Sequence, residues 1–339
     1  MTCRERVISA VLHQKTDIIP YSCGLTILEN ERVVTHTGDP DFMSKQNSHM
    51  IGIEFPFEFK EVEGKPGYFR DFFGVVWNRS GVDKDIGVID VPLIPDIDAR
   101  TYVIPTIIEA DIRAAMEALM ARRGDKFAYG AIGFSLFERA WTLCTMEGLL
   151  MGMITSPTEV TRLFDDICEH NLKVLDIMLD YDVDAIYFGD DWGQQRGLIM
   201  GPDHWRRFIK PQLARMYNKV KSKGKFVLQH SCGDISSIFQ DVIDIGLDVY
   251  NTFQPEIYDM RDFKRTFGKH LTVWGAISTQ RVLPAGTPEQ VRDVVIETMR
   301  ILGEGGGYIA APTHAVPYDV PPENLLAMLD VFHNQEKYL

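Results

Sequence analysis

A histidine and a cysteine two positions apart, His230 and Cys232, carry the clearest chemical signal in this sequence. They stand at the end of the run 225–234 (KFVLQHSCGD), whose apolar part predicts a β-strand. In an extended backbone, residues i and i+2 project from the same face, so these two side chains can point to one place. A thiolate sulfur and a neutral imidazole nitrogen are ligands that zinc prefers. Because a lone cysteine is more often a small buried hydrophobe, the rest of the chain must decide between a zinc site and a packed strand end.

The chain from residue 127 onward alternates short apolar runs with amphipathic stretches. The runs predict buried strands that pair in parallel, and the stretches between them predict helices that cover the sheet. The predicted strands are 127–134, 184–189, 225–229, 247–253, 271–276 and 306–311. The predicted helices include 158–179, 202–223, 235–245 and 288–302. We therefore predict an α/β fold, a (β/α)8 TIM-type barrel.

The first third of the chain predicts an elaborated amino-terminal region. Residues 18–22 have the pattern of a short strand, while 50–59 and 67–77 alternate like an added sheet. A segment rich in Asp, Gly and Pro follows, so we predict an insertion or hairpin near 60–105 beside the main body. We find no linker that would separate two domains, and residues 1–339 are predicted to form one barrel domain.

Polar, ionisable or aromatic residues follow almost every predicted strand, where a barrel of this type carries its chemistry. His314 follows the last predicted strand, which barrel closure would bring beside the first. It is therefore a natural third ligand with His230 and Cys232, and leaves the fourth zinc position open, as in catalytic zinc sites. The alternative is a histidine that hydrogen-bonds substrate or a neighbouring carboxylate.

Two adjacent aspartates, Asp190 and Asp191, end the predicted strand 184–189. In an extended segment they face opposite ways, so one would enter the cavity and the other would cap the next turn. An aspartate there can be a metal ligand, a partner that orients a ligating histidine, or a general acid. Glu138 either lines the mouth of the barrel or begins the next helix. The aromatic residues close to the strand ends would suit a flat apolar substrate, or are simply core; they are Phe134, Trp192 and Trp274.

Composition excludes several classes of function. A formal charge of −13 argues against binding to nucleic-acid phosphates, which requires an excess of lysine and arginine. No apolar stretch approaches the length of a membrane span, and the amino terminus has no secretory signal. Five scattered cysteines without a C-x-x-C spacing make a disulfide framework improbable, so we expect a cytoplasmic protein whose partners are small molecules or another protein.

Several separated blocks of the sequence resemble the uroporphyrinogen decarboxylase superfamily, and more narrowly its corrinoid-dependent methyltransferase branch. The blocks extend over most of the chain: RVISA at 6–10, DFFGVVW at 71–77, GDDWG at 189–193, QHSCG at 229–233, and APTH at 311–314 with PPEN at 321–324. The resemblance implies a barrel fold and a homodimer.

Two departures from the family patterns bear on the reaction that the resemblance implies. The decarboxylases have an arginine-rich stretch that grips substrate carboxylates, and the corresponding segment 19–25 (IPYSCGL) contains no arginine. The methyltransferases that act on coenzyme M use a zinc triad of His, Cys and a distant second Cys. Here His230 and Cys232 match the first two, and His314 stands where the second cysteine would fall. The decarboxylases also have a histidine near that position, so His314 need not be a ligand.

The hypothesis from the sequence is a zinc-dependent methyltransferase. Replacing one thiolate by a neutral imidazole makes the zinc more positive, which favours Lewis acidity. The zinc would polarise the oxygen of an aryl methyl ether or a methanol-like donor, Asp190 or Asp191 would protonate the leaving oxygen, and the Co(I) of a corrinoid would take the methyl group. Transfer of the methyl group in the opposite direction, from the methyl-corrinoid to a thiol, is also left open.

The sequence contains no Asp-x-His-x-x-Gly signature for corrinoid binding, so the corrinoid (cobalamin) is expected on a separate protein. The alternative function is a metal-independent decarboxylase or lyase.

Overall fold

The computed structural model describes residues 1–55, 59–81 and 87–339. Residues 56–58, in the predicted sheet segment 50–59, lie outside the described residues. So do residues 82–86 of the predicted insertion.

The strands of the described residues fall into one long parallel sheet and two small antiparallel ones. In chain order they are β1 (Met50–Phe55), β2 (Lys60–Glu61), β3 (Tyr68–Arg70), β4 (Val76–Asn78), β5 (Val88–Ile89), β6 (Phe127–Ile132), β7 (Ala185–Gly189), β8 (Gly193–Gln194), β9 (Gly197–Leu198), β10 (Phe226–His230), β11 (Val249–Phe253), β12 (Thr272–Ile277) and β13 (Tyr308–Pro312).

The α-helices of the described residues mostly connect the strands of the parallel sheet, as an α/β fold requires. They are α1 (Cys3–Val11), α2 (Ile27–Thr37), α3 (Glu109–Arg122), α4 (Phe137–Cys144), α5 (Met146–Thr155), α6 (Pro157–Met178), α7 (Gly201–His204), α8 (Lys210–Ser222), α9 (Phe239–Asp244), α10 (Met260–Thr266), α11 (Val282–Ala285), α12 (Pro288–Gly303), α13 (Pro322–His333) and α14 (Gln335–Tyr338). A π-helical turn, Trp205–Ile209, joins α7 to α8. The predicted helix 202–223 is therefore helical throughout, but it contains this π-helical turn between two α-helical parts. None of the helices in the described ranges is long and apolar enough to cross a membrane.

The parallel sheet has seven strands in the order β1-β6-β7-β10-β11-β12-β13. The α/β class and the six strands predicted from residue 127 onward are confirmed. The prediction that 50–59 belongs to an added sheet is wrong for β1. Met50–Phe55 is not part of an added sheet but pairs in parallel with β6 along its whole length. Its side chains alternate because one face meets the core and the other the interior of the curled sheet.

The strand predicted at 18–22 is present only as an isolated parallel bridge between Tyr21 and Ala310. The Ser22 N–H donates to the Ala310 carbonyl at 2.9 Å, and the His49 N–H donates to the Tyr21 carbonyl at 2.9 Å. This segment therefore lies between β13 and the residues that lead into β1. The sheet is a curled set of seven strands with one bridged segment at its open side.

The strands β2 to β5 form the antiparallel sheet in the region predicted as an insertion. A buried ion pair ties this sheet to the main body: Arg139 of α4 donates to Asp71 at 2.8 Å, and both side chains are almost fully buried. Asp71 also accepts from the N–H of Val75 and from the indole N–H of Trp77. Because α4 begins directly behind the end of β6, this pair fixes the added sheet close to the carboxyl ends of the strands.

Candidate metal centre at the strand ends

His230 is the last residue of β10, and Cys232 follows it by two positions. The strand register places His230 beside Gly189 at the end of β7 and beside Asn251 in β11. The Cys232 Sγ lies 3.5 Å from the His230 Nε2, so the two side chains converge. The imidazole is largely buried, with 14% of its side chain exposed.

Asp191 brings a third donor to this point. Its Oδ1 lies 3.4 Å from the His230 Nε2 and accepts the Cys232 backbone N–H at 2.7 Å. One ligand atom from each of Asp191, His230 and Cys232 lies within 4.8 Å of the others. In the described part of the chain, this is the group of His, Cys, Asp and Glu side chains that could hold a metal ion. The donor set of nitrogen, sulfur and oxygen fits zinc.

Two glycines explain why Asp191 and Cys232 come so close. A Cβ on Gly193 would lie 2.6 Å from the Cys232 carbonyl oxygen and 2.7 Å from the Asp234 nitrogen. A Cβ on Gly233, which has φ of +78°, would overlap the backbone of Gly193. The loops after β7 and β10 are therefore in direct backbone contact, which only glycine at both positions permits.

Asn251 determines which nitrogen of His230 carries the proton. Its Nδ2 donates to the Trp274 carbonyl oxygen, which can only accept, so its Oδ1 faces the other way. That Oδ1 accepts from the Tyr187 hydroxyl at 3.2 Å and lies 2.6 Å from the His230 Nδ1. Nδ1 therefore carries a hydrogen, which leaves Nε2, on the side of Cys232 and Asp191, as the nitrogen that can offer a lone pair to a metal. A partner that fixes the tautomer of a ligating histidine in this way is typical of metal sites.

Replacing Asn251 by alanine is expected to lower zinc affinity about 10- to 100-fold, the usual cost of losing such a partner. The substitution Asn251→Asp keeps an acceptor for the His230 Nδ1–H and is expected to retain most of the affinity. Competition with a chromophoric zinc chelator measures both variants. Equal affinities in the wild type and in Asn251→Ala would contradict the orienting function.

His314 lies on the same cavity but outside this group of three donors. Its ring centroid is 5.9 Å from that of His230, with the rings at 74°, and its side chain is exposed. The structure thus brings Asp191 into contact with the two predicted ligands, His230 and Cys232. His314 stands next to His230 but outside this contact. Its function as a third or fourth ligand stays a prediction.

Asp190 is fully buried and points away from the cavity. Its carboxylate accepts the backbone N–H groups of Leu136, Phe137 and Glu138 at 2.8–3.3 Å, and the indole N–H of Trp192 at 2.6 Å. Burial raises the pKa of Asp190 to about 6, and these four donors oppose the rise. Asp190 thus holds the first turn of α4 in place, as an N-terminal anion does.

Trp192 does not line the cavity, contrary to the prediction that it contacts substrate. The indole is fully buried, bonded to Asp190 and packed edge-on against Trp205 at 5.4 Å. It lies in the wall behind the cavity because its backbone N–H is bonded to Ser231, which turns the side chain inward.

A cavity of about 360 Å³ opens beside the donors, and two of them, Asp191 and His230, line it. Three of the four residues predicted to bind substrate, Phe134, Glu138 and Trp274, also line it, together with Tyr187 and Glu54. Glu54 was not predicted because 50–59 was interpreted as part of an added sheet. Glu54 lies one residue from the end of β1, and a carboxylate at the end of a predicted strand is the signal that could have identified it as a cavity residue.

The cavity is acidic. Glu54, Glu138 and Asp191 line it, and its described lining contains no lysine or arginine. Burial raises the pKa of Glu138 well above its ordinary value, and the neighbouring Asp191 raises it further. Burial also raises the pKa of the Cys232 thiol, again with a contribution from Asp191. So many acidic groups facing one another favour a bound cation.

Comparison with known proteins assigns the family. The profile of the uroporphyrinogen decarboxylase (URO-D) family matches residues 87–335, most of the chain. The protein belongs to this family, and the resemblance inferred from its sequence is confirmed at that level.

The curated relatives include both methyltransferases and uroporphyrinogen decarboxylases. The protein is 25% identical over 131 residues to the methylcobamide:CoM methyltransferase MtaA of Methanosarcina barkeri, a match that covers 39% of this chain but only 36% of that protein. It is 23% identical over 333 residues to the uroporphyrinogen decarboxylase of Methylococcus capsulatus, covering 92% of this chain and 83% of that one. Among solved structures, a methyltransferase from Methanosarcina mazei matches over the full length of both chains, with a TM-score of 0.74 and 18% identity. This structural match shows the fold.

Proposed function

We propose that this protein is a zinc-dependent methyltransferase. It moves a methyl group between a small methylated substrate, such as an aryl methyl ether, a methanol-like compound or a thiol, and the cobalt of a separate corrinoid protein. The observation that carries the proposal is the convergence of Asp191, Cys232 and the Nε2 lone pair of His230 at the open end of the sheet.

The three donors fit a catalytic zinc ion better than a structural one. Structural zinc sites close four protein ligands around the metal, and catalytic sites leave a position for substrate. Asp191, His230 and Cys232 supply three ligands beside an open cavity. Zinc bound there would act as a Lewis acid on the oxygen or sulfur of the substrate. In this proposal Asp191 is a ligand rather than the general acid considered from the sequence.

The remaining residues bind and orient the substrate. Phe134 and Trp274 supply apolar walls, and the Trp274 indole is fixed by its N–H bond to the Ser22 hydroxyl at 2.8 Å. Asp190 is a positioning residue: it holds the start of α4, which carries Glu138 into the cavity. Glu138 is therefore held in the cavity wall as a neighbour of Asp191.

The name of the M. barkeri relative and the methyltransferase with the same fold support the reaction class and a corrinoid partner. The decarboxylase alternative has the longer alignment but fits the cavity less well. A tetrapyrrole with many carboxylates would meet three further carboxylates and no lysine or arginine in the described lining. The proposed cytoplasmic location rests on the five scattered cysteines, and the proposed homodimer rests on the sequence resemblance.

The reaction is tested with the purified protein, a corrinoid protein reduced to Co(I) and a panel of methoxylated aromatics, methanol and methylated thiols. We expect about one zinc per chain by elemental analysis, and loss of the Co(I) absorption band with at least one donor. Release of carbon dioxide from a carboxylated substrate by a zinc-free preparation would instead establish the decarboxylase.

A further inference from the structure

Glu54 presents a carboxylate to the cavity without a partner from the described protein. It lies in β1, opposite Ala131 of β6, and no hydrogen bond or ion pair joins it to another described residue. Glu54 is exposed to the open cavity, and the nearby cavity walls desolvate its carboxylate enough to raise its pKa. Gly133, the residue after β6 that follows Ile132, leaves the space that the carboxylate occupies, since a Cβ on Gly133 would overlap the Glu54 Oε1.

The buried carboxylates Asp71, Asp184 and Asp190 are matched by cations or by N–H donors. Asp71 is paired with Arg139 at 2.8 Å, and Asp184 is paired with Arg123 at 2.9 Å. Asp190 accepts four N–H groups. Glu54 has no such partner among the described residues and faces the open cavity. A ligand that displaces the cavity water would leave this carboxylate uncompensated unless the ligand itself brings a cation or a hydrogen-bond donor.

Aromatic rings complete the surroundings of Glu54. Trp274 and Tyr187 line the cavity with their ring centroids 5.5 Å apart, and Tyr129 packs against both at 5.9 and 5.7 Å. Phe134 lines the same cavity. Aromatic faces attract organic cations, and a carboxylate beside them adds a full opposite charge. An anionic group placed beside Glu54 would be repelled by the carboxylate and would gain no attraction from the ring faces.

The strand order separates Glu54 from the metal donors. Glu54 is on β1, two strands from β7, which leads to Asp191, and three strands from β10, which carries His230. A substrate with its reacting oxygen or sulfur at the three donors would place its far end near Glu54.

We propose that Glu54 selects methylated substrates that carry an ammonium group at the end remote from the reacting methyl group, and disfavours those that carry a carboxylate or a sulfonate. This inference rests on the proposed function, because it concerns the substrate of the same cavity. It narrows the donor class from any small methylated compound to cationic ones.

Three aromatic methyl ethers of the same shape test the proposal: 4-methoxybenzylamine, 4-methoxybenzyl alcohol and 4-methoxybenzoate. Their binding to the full chain, in a buffer that contains zinc, is measured by calorimetry at neutral pH, without a corrinoid protein. We expect the amine to bind roughly tenfold more tightly than the alcohol, and the alcohol more tightly than the acid, as one partly screened charge pair predicts. Binding of the acid as tight as that of the amine, or no binding of any of the three, would overturn the proposal.

Two variants test the contribution of the Glu54 carboxylate in different ways. Glu54→Gln removes its charge, and Gly133→Ala keeps the charge but displaces the carboxylate, whose flexible end is the group that must move. Both are expected to abolish the preference for the amine over the alcohol. Glu336→Gln, on the exposed surface of α14, changes the net charge by the same amount and is expected to keep the preference. A preference that survives in both Glu54→Gln and Gly133→Ala would assign the selection to other groups.

The two proposals fail in different ways. If zinc and methyl transfer are found but the acid is preferred, the proposed function stands and the assignment of Glu54 falls. If the amine is preferred in a Glu54-dependent way but neither zinc nor methyl transfer is found, the cavity binds cations and the methyltransferase function falls.

Discussion

Replacing Cys232 by alanine is expected to remove zinc from the purified protein and to abolish measurable methyl transfer. The thiolate is the softest of the three donors, and the remaining pair, Asp191 and His230, cannot close a tetrahedral site with substrate alone. Loss of even an outer partner of a metal ligand costs about 10- to 100-fold in affinity, so loss of a ligand is expected to cost more than about 100-fold. Elemental analysis after dialysis measures the metal, and consumption of the Co(I) corrinoid measures the transfer.

The matched control is Cys168→Ala. Cys168 is also a free cysteine, is fully buried in α6, and lies against the Gln212 carbonyl oxygen rather than at the strand ends. This variant is expected to lose some stability through the small cavity that it creates, but to keep its zinc and its activity. One equivalent of zinc and unchanged methyl transfer in Cys232→Ala would show that the metal is held elsewhere.

Local sequence patterns predict most of the parallel sheet because its strands are short apolar runs between helices with clear ends. The strands β6, β7, β10, β11, β12 and β13 begin and end within about two residues of their predicted bounds. The pattern fails at β1, where Gly52 and Glu54 interrupt the apolar run and make the strand look half exposed. Both interruptions have tertiary causes: a Cβ on Gly52 would collide with the Tyr129 ring, and Glu54 faces the cavity.

The site could be predicted only as far as local geometry determines it. The spacing of His230 and Cys232 in an extended segment is enough to place both on one face. The functions of Asp190 and Asp191 stayed open, because three of the four donors that hold Asp190 come from residues more than 50 positions earlier in the chain. Asn251 was missed for a similar reason: an asparagine inside a strand has no local signal for contact with a histidine on the neighbouring strand.

The contact between Gly193 and Gly233 carries the second large prediction. Glycine at residue 233 serves two purposes: it adopts φ of +78°, and it leaves room for the backbone of the facing loop. The first purpose alone costs about 1 kcal/mol when alanine replaces glycine. The second cannot be met by a side-chain shift, since the atoms that a Cβ would overlap are backbone atoms of Gly193 and Gln194. The loops must then separate, and the hydrogen bond from the Cys232 N–H to Asp191 lies in the path of that movement.

Gly233→Ala is therefore expected to lower the free energy of unfolding by about 3 kcal/mol or more and to lower zinc affinity at least about 100-fold. Gly201→Ala separates the two causes, because Gly201 has nearly the same φ of +74° with no atom within 4 Å of the added Cβ. That control is expected to lose only about 1 kcal/mol and to bind zinc normally. Urea unfolding of the zinc-free proteins gives the stabilities, and chelator competition gives the affinities. If Gly233→Ala and Gly201→Ala behaved alike in both measurements, the close approach of the two loops would not be what brings Asp191 to Cys232.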